Sequence, residues 1–270
     1  MLRQLLFFAL IMVSLPGMAQ FEKVFDARMS HSWFTCDANR NVYAIIEGKF
    51  RKFSPPYSSS LSYNIEKEGL PSFIDVNFQN QIVLFFKQSN KIILLDSSLN
   101  EIMAPIYLEE LGLFDISIVF AANDRGLWFY KPSANSLTKL NTDFLPVVRA
   151  LSFNPYFLPP NHPNHIVTYA GKIYLNVPSN GILVLGQNGG YQTAYQLPGL
   201  ADFQIDSKAV YFFRDEIIYC YDYRTLKTKK VYVPDEPGIL NAWFFEDQIF
   251  VLTKEGFSIY KHAINPLEGN

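Results

Sequence analysis

Short apolar runs separated by two- to four-residue polar turns fill most of this chain, and they come in groups of four. Residues 73–78, 81–86, 91–96 and 101–106 form one group, and 202–205, 208–214, 216–222 and 228–233 form another. This rhythm predicts repeated antiparallel strands. A signature stands before several groups: Gly-Leu-Pro-Ser-Phe at 69–73, Gly-Leu-Phe-Asp-Ile at 112–116, Gly-Leu-Ala-Asp-Phe at 199–203 and Gly-Ile-Leu-Asn-Ala-Trp at 238–243. The second run of each unit begins at Val42, Ile82, Leu127, Ile173, Val210 and Ile249, giving spacings of 40, 45, 46, 37 and 39 residues. Such periods fit four-stranded propeller blades.

The last unit has runs at 243–246, 248–253 and 257–262 but no fourth, whereas 21–25 (Phe-Glu-Lys-Val-Phe) is strand-like and belongs to no unit. A ring of sheets closes without free edges when one terminus completes the blade begun by the other. The expected fold is therefore an all-β, six-bladed β-propeller whose N-terminal strand closes the last blade. A β-sandwich or an open array of sheets is the alternative. Helical periodicity is nearly absent, because Pro and Gly punctuate the chain every ~10–20 residues.

The first nineteen residues read differently. Arg3 precedes an apolar stretch from Leu5 to Leu15, then Pro16-Gly17-Met18-Ala19. That is the layout of a cleaved secretory signal peptide, and its apolar stretch falls short of the ~20 residues a membrane span needs. Residues 20–270 are then expected to form a single exported propeller, in a periplasm or cell envelope. Without Arg3 the chain carries 22 basic and 25 acidic residues. This balance offers nothing to attract nucleic acid or an anionic membrane. Lys227, Lys229 and Lys230 alternate on an expected outer strand, where charge discourages edge-to-edge aggregation. Phe and Tyr together number 40, which suits pleated, packed surfaces.

Cys36 and Cys220 are the only cysteines, and the map puts them in blades that are not neighbours. Each reads as a small buried apolar residue, although an exported protein with two cysteines retains the option of pairing them.

Gly69-Leu70-Pro71-Ser72 followed by Ile74 and Val76, and Gly112-Leu113 through Asn123-Asp124-Arg125-Gly126-Leu127-Trp128-Phe129, resemble the two-component-regulator propeller repeat. That repeat has a Gly-Leu-Pro opening, a strand, an Asp-x-x-Gly turn and Leu-Trp-Ile-Gly-Thr. The match is fullest in blade three and partial in blades two, five and six, and the Gly-Thr ending is missing throughout. The resemblance implies a periplasmic propeller used for ligand sensing or as a protein-binding module. Without a kinase domain in this sequence, it points to a free-standing one.

Candidate chemistry concentrates where blades open. Three residues after the signature Gly stand Ser72, Asp115, Asp202 and Asn241, and His31 and Asn164 hold the nearest equivalent positions in blades one and four. Six polar side chains there are expected to ring one mouth of the central channel. Oxygen donors of this kind suit Ca²⁺ or a small polar ligand, and equally cap turns. His162 and His165 lie in a Pro-rich loop, 154–165, with the H-x-x-H spacing that a transition metal uses only if a third ligand converges. Tyr219, Tyr221 and Tyr223 alternate on one strand and share a face, either between blades or as an aromatic platform. Trp33 and Trp243 open the inner strands of blades one and six and are expected to pack between blades.

No nucleophile elbow, phosphate loop or dinucleotide fingerprint occurs, and no cofactor is implied. The pattern predicts a non-enzymatic binding or scaffolding propeller that meets an envelope protein through one face. A carbohydrate- or small-molecule-binding sensor component and a metal-assisted hydrolase or lactonase remain as alternatives.

Overall fold

A computed structural model describes residues 21–262 except 29–32, 79, 154–155, 157–160 and 232. The expected signal peptide and His31 lie outside the described residues.

Among the described residues, twenty-four strands form six antiparallel sheets of four. Strand β1 (Phe21–Arg28) comes first in the chain but belongs to the last sheet. Blade one holds β2 (Phe34–Cys36), β3 (Val42–Ile46), β4 (Lys49–Phe53) and β5 (Ser60–Asn64). Blade two holds β6 (Phe73–Asp75), β7 (Ile82–Phe86), β8 (Lys91–Leu95) and β9 (Ile106–Tyr107). Blade three holds β10 (Ile118–Ala121), β11 (Leu127–Lys131), β12 (Ser136–Leu140) and β13 (Pro146–Ser152). Blade four holds β14 (His165–Tyr169), β15 (Lys172–Val177), β16 (Gly181–Gly186) and β17 (Tyr191–Tyr195). Blade five holds β18 (Gln204–Ile205), β19 (Ala209–Arg214), β20 (Ile217–Asp222) and β21 (Lys227–Val231). Blade six holds β22 (Asn241–Phe245), β23 (Gln248–Leu252) and β24 (Gly256–His262), and β1 pairs along β24 from Phe21 opposite His262 to Arg28 opposite Gly256.

The second strands are apolar at every position rather than at alternate ones because both faces of each blade are covered. In β7, Ile82, Leu84 and Phe86 turn toward blade one, while Val83 and Phe85 turn toward blade three. The period-two alternation of a strand thus sends alternate side chains into two different interfaces. Each of the six hydrophobic clusters draws its residues from two adjacent blades, including the pair made by blades six and one. The core is a ring of interblade layers.

The closing interface is aromatic. Phe25 on β1 lies 5.7 Å, centroid to centroid, from each of Phe53, Tyr57 and Phe257, joining blade one to blade six. Phe34 meets Trp243 edge-on at 4.3 Å in the same layer, whereas Trp33 packs between blades one and two. Cys36 and Cys220 are buried free thiols in blades one and five. Burial pushes both thiol pKa values up. Among the described residues no helix is long and apolar enough to cross a membrane.

The signature explains how blades are linked. Gly69, Gly112, Gly199 and Gly238 all adopt φ between +66° and +79°, a region other residues enter only with strain. The chain turns there and returns to the axis. Leu240 N–H then donates to the Leu252 carbonyl and Ser72 N–H to the Phe85 carbonyl, seating these opening loops beside the hairpins between second and third strands. Opening loops and those hairpins therefore share one face of the disc.

Candidate functional site

The side chains three residues after the signature glycines divide into two groups. Ser72 Oγ accepts the Lys87 N–H at 3.2 Å, and Asp115 Oδ2 accepts the Ser133 N–H at 3.0 Å. Both are exposed and turned onto the hairpin of their own blade. Ser133 donating to Asp115 holds that carboxyl below the ordinary range. In blades five and six the equivalent residues turn inward and meet: Asn241 Nδ2 donates to Asp202 Oδ2 at 2.7 Å. Asn164 ties blade four to blade five, accepting from Asn176 Nδ2 at 2.6 Å and donating to the Ala201 carbonyl at 2.9 Å. The described members do not form one continuous ring.

The two histidines separate. His162 Nδ1 lies 2.8 Å from the Tyr130 hydroxyl in blade three. His165 opens β14, and its Nε2 lies 3.2 Å from the Phe203 carbonyl, with the Phe203 ring edge-on at 5.2 Å. His165 therefore stands on the channel wall and not in a solvated loop. Among the described residues, no three of His, Cys, Asp and Glu gather where one metal ion could be held. Tyr219, Tyr221 and Tyr223 pack into the layer between blades four and five, where Tyr195 stacks on Tyr223 at 5.9 Å and tilts against Tyr221 at 5.8 Å.

The channel itself holds polar groups that the spacing of the signature does not reveal. Asp75 ends β6, is 2% exposed, and its Oδ2 accepts the Ala121 N–H of blade three at 2.8 Å. Its other oxygen accepts from the Asn77 backbone and side chain. Burial raises the Asp75 pKa against these three donors. Gln204 Oε1 likewise accepts the Phe244 N–H of the next blade at 2.9 Å. The only sequence signal for either is a polar residue inside an inner-strand apolar run.

His165, Asp202 and Asp75 interact electrostatically across this interior. Burial lowers the His165 pKa and raises that of Asp202, in each case against the attraction of the other. Both neutral forms are favoured by the loss of water. A cavity of about 100 Å³ occupies the axis, lined by His165, Gln204, Phe203, Asn77, Cys36 and Trp243 among others.

No family model and no curated protein matches the chain. Solved structures do, at identities that show the fold alone. The WD40 domain of Neurospora crassa Pan2 superposes with a TM-score of 0.60 at 7% identity, over 91% of this chain and 96% of that one. A gluconolactonase from Xanthomonas campestris gives 0.58 at 13% identity, over 92% and 91%. The extracellular domain of a putative hybrid two-component system from B. thetaiotaomicron gives 0.56 at 13% identity over 88% of this chain, which spans 35% of that one. Enzymes and non-enzymes share this architecture.

Proposed function

We propose that the protein is an exported, non-enzymatic binding or scaffolding propeller of the cell envelope, and that it engages a protein partner through the face carrying the blade-opening loops. One observation carries this reading. Leu70, Phe114 and Leu240 come from the opening loops of blades two, three and six, and stand 57%, 59% and 42% exposed on that single face. Apolar side chains at loop tips on a rigid frame contribute little to the fold and suit the apolar centre of an interface. The bifurcated ring weighs against a hydrolase at the same face. Asp115 is turned out to cap a hairpin, and of the two aspartates only Asp202 reaches the interior.

The leader-like residues 1–19 support export, and the extracellular two-component neighbour is compatible with it. The test is capture from the native envelope fraction with tagged residues 20–270, in parallel with a Leu70→Asp, Phe114→Asp double variant. A stoichiometric partner held by the first and released by the second supports the reading, provided both proteins melt alike. Equal capture by both overturns it.

A further inference from the structure

The opposite face of the disc carries a second feature. There the axial cavity widens into a bowl of about 580 Å³ between blades one, four, five and six. Tyr169, Gln204 and Ile205 line both the axial cavity and the bowl, so the two are continuous. The bowl lies where β18, the inner strand of blade five, is only two residues long. Its volume falls within the range of about 300–1,000 Å³ typical of small-molecule sites.

We propose that this bowl binds a neutral sugar, as a free saccharide or as the terminal residue of a glycan. The wall combines aromatic surface with unengaged hydrogen-bonding groups. Phe245, Tyr211 and Tyr169 supply ring surface. Gln204 gives its oxygen to Phe244 N–H, leaving its amide NH₂ without a partner among the described residues, and the half-buried Tyr169 hydroxyl is likewise without one. Glu246 is exposed at the rim. Free donors and a rim carboxylate beside ring surface match the hydroxyls and C–H faces of a pyranose.

The charge around the bowl narrows the class. Arg40 is already 3.5 Å from Asp247, and Asp206 Oδ2 accepts the Tyr211 hydroxyl at 3.1 Å. Arg40, Lys208 and Lys261 stand against Asp206, Glu246 and Asp247 around this mouth, so it offers no net positive charge to a phosphorylated or carboxylated ligand. An uncharged polyol needs none.

The test is saturation-transfer NMR and calorimetric titration of the purified 20–270 chain with glucose, N-acetylglucosamine, cellobiose and chitobiose. At least one is expected to bind, and Tyr169→Phe, which keeps the ring, should weaken it by about five- to tenfold through loss of one hydrogen bond. Arg40→Asn, tolerated at the left-handed φ of 64°, cuts back a side chain that lines the bowl and should weaken it further. Disaccharide binding tighter than monosaccharide binding identifies a glycan end, and equal binding a free sugar. The Leu70→Asp, Phe114→Asp variant should bind sugar normally, which keeps this site separate from the partner face. Binding of none of the four, or binding unchanged in the Tyr169→Phe, Arg40→Asn double variant, overturns the proposal.

Discussion

The Asp75 carboxylate reaches out of blade two to accept the Ala121 N–H of blade three at 2.8 Å, stitching two inner strands that share no sheet. Ala121 and Phe244 each present a backbone N–H toward the inner strand of a neighbouring blade with which they share no sheet. Removing the acceptor leaves a buried N–H without a partner. Asp75→Ala should therefore lower unfolding free energy by about 1–3 kcal/mol, read from urea midpoints. An unchanged midpoint would mean that water replaces the carboxylate without cost.

Ring closure rests on Phe25, whose side chain bridges β1 to both blades at the seam. Phe25→Ala should cost about 1–3 kcal/mol from lost apolar burial. Deleting residues 21–28 should do more, exposing the whole edge of β24 and producing oligomers on size-exclusion chromatography. A monomeric, fully folded truncation would show that the closing strand is dispensable.

Acid should destabilise the protein partly through His165. Its folded pKa is depressed below the usual ~6.5, so the unfolded chain binds the extra proton first and stability falls as pH drops below ~6.5. Asp202 and Asp75 work in the opposite sense. Their folded pKa values are raised, so their contribution is fully present below the unfolded value of ~3.9 and is lost as pH rises through the folded ones. His165→Gln should flatten the loss of thermal stability between about pH 7 and about pH 5. The same slope in that variant would assign the acid sensitivity elsewhere, His262 being another histidine whose pKa burial lowers.

Cys36 and Cys220 are buried in the layers between blades six and one and between blades five and six, with thiol pKa values raised by burial. A thiol reagent too bulky for the axial cavity of about 100 Å³ that Cys36 lines should label neither in the native protein, and both at once on unfolding. Rapid labelling of one thiol alone would reveal local opening of its blade.

The architecture was legible because a repeat writes itself into spacing: the second strands begin at or within one residue of the positions that the apolar runs mark, and the orphan segment 21–25 lies within β1. The interior was less so. Ser72 and Asp202 occupy the same repeat position, yet one is exposed on a hairpin and the other pairs with Asn241 across a blade boundary. Repeat position sets where a backbone lies, while the neighbouring blade decides what the side chain meets. Tyr169 and Gln204 carry no motif at all, since they meet only where β14 ends beside the two-residue strand β18 to which Gln204 belongs.

The register of the closing strand also dictates how the molecule would yield to force. Phe21 sits opposite His262, so tension applied at these two residues acts on the last rung of the ladder and opens it bond by bond instead of shearing all rungs together. A tether at both ends would make the seam a low-force latch. Assembly runs under the same constraint, because the first strand finds its partner only after the chain has been made as far as β24, a long-range pairing that slows folding.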